Sequence, residues 1–114
     1  MSLSPTVELR ARIGSDDRTW LVDRERPRLA LGRAPGCDVR LEDERVSRFH
    51  ARIESKGGVI LLGDGSTNGT WVVRRGGRPT WLHAATLPLD GAGALHLGSP
   101  DAPPIEFAVE ERVK

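Results

Sequence analysis

Residues 63–72 read GDGSTNGTWV. Asn68-Gly69 is a strong hairpin signal, because a type I′ turn needs positive φ at both central residues and these two types tolerate it. Apolar runs flank the stretch, at residues 59–62 before it and 70–73 after it, and both read as strands. The expectation is a turn made by Asn68-Gly69 between two strands. Turn chemistry leaves the Ser66-Thr67 pair unexplained, so its meaning has to come from the rest of the sequence.

Working outward, residues 7–13 (VELRARI) alternate apolar and charged, the pattern of a strand with one buried and one wet face. Gly14-Ser15-Asp16-Asp17 follows as a turn. Further strands are expected at 19–22, 28–31 and 39–41, with Pro35-Gly36 marking a loop. Residues 51–54 and 59–62 read as a hairpin across Lys56-Gly57-Gly58, and later strands fall at 80–82, 86–89, 95–97 and 105–109. The thirteen glycines and eight prolines interrupt every candidate helix. The predicted fold is all-β, an antiparallel β-sandwich of about eleven short strands with its recognition loops at one end.

A length of 114 residues with 38% hydrophobic content supports one core and one domain. We read residues 6–110 as that domain, 1–5 as a disordered N-terminus and 111–114 as a C-terminal tail. There is no apolar run long enough to span a bilayer and no signal-peptide pattern, which points to a cytoplasmic module without membrane contact, and a monomer is expected. The single cysteine, Cys37, reads as a small filler residue. Net charge is +1, so no global field holds the protein to nucleic acid, and any anion must be gripped locally. Fifteen of the 17 basic residues are arginine, a bias that a GC-rich genome explains at least as well as function does. Position therefore has to decide which arginines matter.

Three predicted loops carry unusual side chains: Gly32-Arg33, Arg45-Val46-Ser47-Arg48-Phe49-His50 and Ser66-Thr67-Asn68-Gly69. Brought together, Arg33 and Arg48 supply charged forks, Ser47 and Thr67 hydroxyls, and Asn68 an amide. A phosphate monoester carries about −1.5 to −2 charge and three acceptor oxygens, which suits that inventory better than a carboxylate does. Gly32 and Gly69 allow close backbone approach or positive φ.

Gly32-Arg33, then Ser47-x-x-His50, then Asp64-Gly65-Ser66-Thr67-Asn68-Gly69-Thr70, in this order and spacing, resembles the forkhead-associated (FHA) domain. The likeness runs from about Val7 to Val109. It implies a β-sandwich that binds phosphothreonine in partner proteins without catalysis or cofactor, an adaptor in Ser/Thr kinase signalling joined to or associated with a signalling domain. By the same resemblance, Arg33, Ser47, Arg48 and Thr67 form the phosphate site. Asn68 holds the peptide backbone after the phosphorylated residue, and Arg45 influences side-chain preference beyond it. Gly32, His50, Asp64, Ser66 and Gly69 support the loops. The sequence departs from the family pattern at Val73-Arg74-Arg75-Gly76-Gly77 and at Asp90-Gly91-Ala92-Gly93, both outside the three loops.

Other readings fit less well. A catalytic triad drawn from Ser47 or Ser66, His50 and Asp64 lacks supporting spacing and a nucleophile elbow. Gly63-x-Gly65-x-x-x-Gly69 misses the dinucleotide fingerprint by one residue, and no P-loop lysine follows. His83 and His96 lack partners at metal-ligand spacing. Trp20, Trp71 and Trp81 read as core or edge packing. The alternative that sequence leaves open is a phosphate-independent protein-interaction scaffold of the same fold.

Overall fold

Along β1 (Thr6–Ile13), Leu9 and Ala11 are buried while Arg10 and Arg12 are exposed, the two-residue period expected of a strand facing a core on one side. The computed structural model describes residues 6–13 and 18–112. The expected turn at 14–17 and the tail at 1–5 lie outside the described residues. Ten further strands follow: β2 (Thr19–Val22), β3 (Arg28–Gly32), β4 (Val39–Arg40), β5 (Ala51–Lys56), β6 (Val59–Asp64), β7 (Thr70–Arg74), β8 (Thr80–Leu82), β9 (Thr86–Leu89), β10 (Ala92–Leu97) and β11 (Ile105–Arg112). None of the described residues is helical, so no helix long and apolar enough to cross a membrane occurs among them.

The strands form a six-stranded sheet in the order β2-β1-β11-β10-β7-β8 and a five-stranded sheet in the order β4-β3-β5-β6-β9. Their inner faces enclose one core in which Leu9, Leu31, Ile53, Ile60, Leu62 and Leu95 are almost wholly removed from water. Each such side chain contributes about 1.5–3 kcal/mol by burial. The departure at Asp90-Gly91-Ala92-Gly93 lies at the start of β10, which begins at Ala92, three residues earlier than expected. Gly93 is required there, because a Cβ would strike the Val73 carbonyl oxygen on the neighbouring strand. β11 runs to Arg112, past the domain end read at residue 110, and pairs Arg112 with Thr6 at the end of the sandwich away from the three loops.

Two expectations need correction. The sandwich is not wholly antiparallel, since β3 and β4 pair in parallel through Leu31 with Val39 and Gly32 with Arg40. Asp38 Oδ2 accepts the Ala30 N–H at 2.7 Å and draws the returning backbone alongside β3 in the same direction. Nor is Asn68-Gly69 a hairpin turn. β6 and β7 belong to opposite sheets, so residues 65–69 cross between them, and only Gly69 has positive φ, at 88°. The double-positive turn occurs instead at Gly57 and Gly58, with φ of 59° and 80°, where Lys56 faces Val59 in the β5–β6 hairpin.

Ile53 lies on β5, between β3 and β6, with no exposed surface. Ile53→Ala is expected to lower unfolding free energy by about 2–5 kcal/mol in urea titrations, as cavity-forming core substitutions do. A loss well under that range would mean that the two sheets do not close on this residue.

Candidate functional site

Every loop singled out in the sequence meets at one end of the sandwich, and backbone contacts hold them there. Arg33 N–H donates to the Ser47 carbonyl and Ala34 N–H to the Arg48 carbonyl, both at 3.0 Å, which joins the β3–β4 loop to the segment before β5. Gly32 makes that approach possible, because a Cβ there would meet the Arg48 carbonyl oxygen. Cys37 does more than fill space: its thiol donates to the same Arg48 oxygen at 3.2 Å. The third loop joins through Ser47, whose Oγ accepts the Thr67 N–H at 3.1 Å, and through Asn68, whose Nδ2 donates to the Arg45 carbonyl at 2.9 Å.

His50 is completely buried behind these loops. Ser47 N–H donates to its Nδ1 at 3.0 Å, so Nδ1 carries no proton and Nε2–H donates to the Gly69 carbonyl at 2.8 Å. One neutral ring thus fixes the 45–50 and 65–69 segments together. Burial pushes the His50 pKa below its ordinary 6.5, outweighing the Gly69 hydrogen bond and the nearby Asp64 charge, which act the other way. Both ring nitrogens are spent on backbone, which leaves neither to serve a serine as general base.

Asp64, at the end of β6, organises the crossover. Its Oδ1 accepts Ser66 Oγ at 2.7 Å and Thr70 Oγ1 at 2.8 Å, and its Oδ2 accepts Ser66 N–H at 3.2 Å and Ala84 N–H at 2.9 Å. Ser66 Oγ in turn accepts the Gly69 N–H at 2.8 Å. Burial acts to raise the Asp64 pKa, but the combined hydrogen bonds from Ser66, Ala84 and Thr70 hold it below the usual 3.8. The carboxylate is therefore charged, buried and surrounded by donors.

What faces outward differs in kind. Arg33 is exposed and spends only its Nε, on the Val46 carbonyl at 3.0 Å, leaving the terminal guanidinium nitrogens unengaged among the described residues. Arg48 is exposed, and its side chain forms no ion pair or hydrogen bond among the described residues. The Thr67 hydroxyl is likewise unengaged, and the Ser47 hydroxyl proton remains available for donation. Arg45 is occupied: it forms a two-point pair with Asp43 at 2.8 and 3.1 Å, and holds the Asp43 carboxyl down at about 2. The sequence reading missed Trp81, whose Nε1–H donates to the Asn68 carbonyl at 3.1 Å, and Ala84, which supplies a donor to Asp64. An isolated tryptophan on a short edge strand carries no spacing signal. A cleft of about 650 Å³ lies away from the loops, against Arg10, Arg12, Val73, Arg75, Gly93 and Ala108.

Two packed sheets, with loops at one end that point donors outward from a hydrogen-bonded base, define a binding module of the β-sandwich class. A family model for the FHA domain matches residues 29–86, and the chain belongs to that family. No curated protein sequence matches it. Among solved structures, the first FHA domain of Rv1747 from Mycobacterium tuberculosis is similar, at 27% identity with a TM-score of 0.68, covering 93% of this chain and 98% of that one. The FhaA FHA domain, solved in complex with the intracellular domain of Rv3910, has 31% identity and a TM-score of 0.60, covering 91% of this chain and 99% of that one. A further FHA domain, characterised through phosphothreonine-dependent interactions, also has 31% identity and a TM-score of 0.60, covering 92% of this chain and 95% of that one.

The neutral His50 makes stability depend on pH. Its folded pKa lies below the unfolded 6.5, so the unfolded state binds the proton first as pH falls. The stabilisation is complete above 6.5 and is lost as pH drops through the lowered folded value. Melting curves from about pH 8 to about pH 5 should show Tm falling on the acid side, and a less stable His50→Gln variant should show a flatter profile. Parallel profiles would remove His50 as the source.

Proposed function

We propose that the protein is a phosphopeptide-binding module that recognises phosphothreonine in partner proteins and acts by binding rather than turnover, as an adaptor in Ser/Thr kinase signalling. The observation that carries this reading is the pair of exposed guanidinium groups, Arg33 and Arg48, on loops tied directly to Ser47 and Thr67. A dianionic phosphate needs several donors in fixed positions, and these side chains supply forks and hydroxyls without first having to break internal ion pairs. The interactions described for the two relatives at 31% identity support the same reading.

The roles divide by burial. Arg33, Ser47, Arg48 and Thr67 contact the phosphate, and Asn68 holds the ligand backbone beyond it. Gly32, His50, Asp64, Ser66 and Gly69 keep the loops in place. Charge-assisted hydrogen bonds contribute about 1.5–3 kcal/mol each, so two or three of them with backbone contacts reach an affinity near micromolar, about −8 kcal/mol. The threonine methyl adds on the order of 0.8 kcal/mol by burial, a modest preference over serine unless it also orients the phosphate.

Titration with a phosphothreonine peptide library and its unphosphorylated twin tests the proposal. Binding should require the phosphate, and Arg33→Ala should weaken it by more than about tenfold, the equivalent of about 1.4 kcal/mol, while Tm stays nearly unchanged. Equal binding of the two libraries would favour a phosphate-independent scaffold. Normal binding by Arg33→Ala would show that Arg33 is misassigned.

A further inference from the structure

Beside the loops, on the edge strand β8, lies an aromatic surface that the phosphate reading does not use. Trp81 is 54% exposed, unusual for the largest side chain in a small sandwich. It is nonetheless fixed in place. Its Nε1–H donates to the Asn68 carbonyl at 3.1 Å, and its indole lies so close over Gly69 that a Cβ at that position would overlap it. His83 stacks on the indole with ring centres 5.0 Å apart and planes only 7° from parallel, and Trp71 approaches at 6.2 Å and a 47° tilt. An exposed aromatic ring held by a hydrogen bond and backed by two other rings forms a rigid apolar platform, which loses little entropy when it is covered.

Its place relative to the phosphate groups follows from the contacts. Ser47 touches Thr67, Asn68 reaches Arg45, and Trp81 touches the carbonyl of Asn68, so the order across the loop end runs from phosphate donors through Asn68 to the indole. We propose that Trp81, backed by His83, is a specificity-determining residue that receives an apolar or aromatic side chain of the ligand, from a position following the phosphothreonine. This rests on the phosphothreonine reading, in which Asn68 holds the ligand backbone just after the phosphorylated residue. The chemistry favours an apolar side chain over a cationic one. The carboxylates in contact with these loops are already committed, Asp43 to Arg45 and Asp64 to its four donors, which leaves the platform contact area rather than counter-charge.

The test uses phosphothreonine peptides that differ at one of the four positions after the phosphorylated residue, carrying Phe, Lys or Ala there, titrated against the unaltered protein and Trp81→Ala. The quantity read is the ratio of dissociation constants for the Ala and Phe peptides, so a general weakening in the variant cancels. At one position the unaltered protein should favour Phe over Ala by on the order of tenfold, and Trp81→Ala should bring that ratio near one. His83→Ala should reduce it partway. A ratio unchanged in Trp81→Ala would assign the indole only to holding the Asn68 loop. Preference for Lys over Phe, or no preference at any of the positions, would also overturn the inference while leaving phosphothreonine binding intact. If no phosphorylated peptide bound the unaltered protein, the underlying reading would fall and this inference with it.

Discussion

The arrangement of the loops depends on one buried carboxylate. Asp64 stands where β6 ends and the backbone leaves one sheet for the other, and its two oxygens accept from Ser66 twice, from Thr70 and from Ala84. Burying a charge is expensive unless it is fully hydrogen-bonded, and here the donors come from two of the crossovers between the sheets, β6–β7 and β8–β9. Ala84 shows how far the backbone yields to that demand. It is the one non-glycine residue with positive φ among those described, at 51°, a conformation that costs about 1–3 kcal/mol and is held because its N–H reaches the carboxylate. His50 adds a second, neutral bridge from Ser47 to Gly69. Rigidity at the loop end thus comes from polar groups inside the fold, and the outward side chains are left free of structural duties.

That separation explains how a protein with almost no net charge presents a local cationic site. Several of its exposed charges are neutralised in place, for instance Arg12 by Glu106 at 3.0 Å, Arg52 by Glu54 at 2.8 Å and Arg45 by Asp43 at 2.8 Å. Such surface pairs contribute little to stability, but they cancel the field around them. Arg33 and Arg48 form no ion pair among the described residues, and the Arg33 Nε bonds a carbonyl oxygen rather than a carboxylate.

The strands were legible because short apolar runs between glycines and prolines leave few alternatives, and all eleven expected segments form strands. The ladders extend beyond the apolar residues, as at Ser55-Lys56 and Glu110-Glu111, because backbone pairing continues where side chains are polar. The errors have a common cause. Asn68-Gly69 has hairpin chemistry, yet Asp64 and Ser66 impose a crossover on it through side-chain hydrogen bonds that local propensity does not register. The parallel β3–β4 pair likewise depends on one Asp38 carboxylate reaching back to Ala30. The three loops were legible as a set because residue type and spacing agree across separate segments. Trp81 was not, since its importance arises only from a contact with Asn68, thirteen residues earlier in the sequence.

The pairing of Thr6 with Arg112 has a mechanical consequence. Both boundary strands are internal to the six-stranded sheet, hydrogen-bonded on each side, and their outer ends emerge together at the pole opposite the loops. A polypeptide attached at either end, or at both, would enter and leave through one narrow doorway without shadowing the loop surface. Tension between two such attachments would load the β1–β11 ladder one residue pair at a time, beginning with Thr6 and Arg112 at the pole away from the loops.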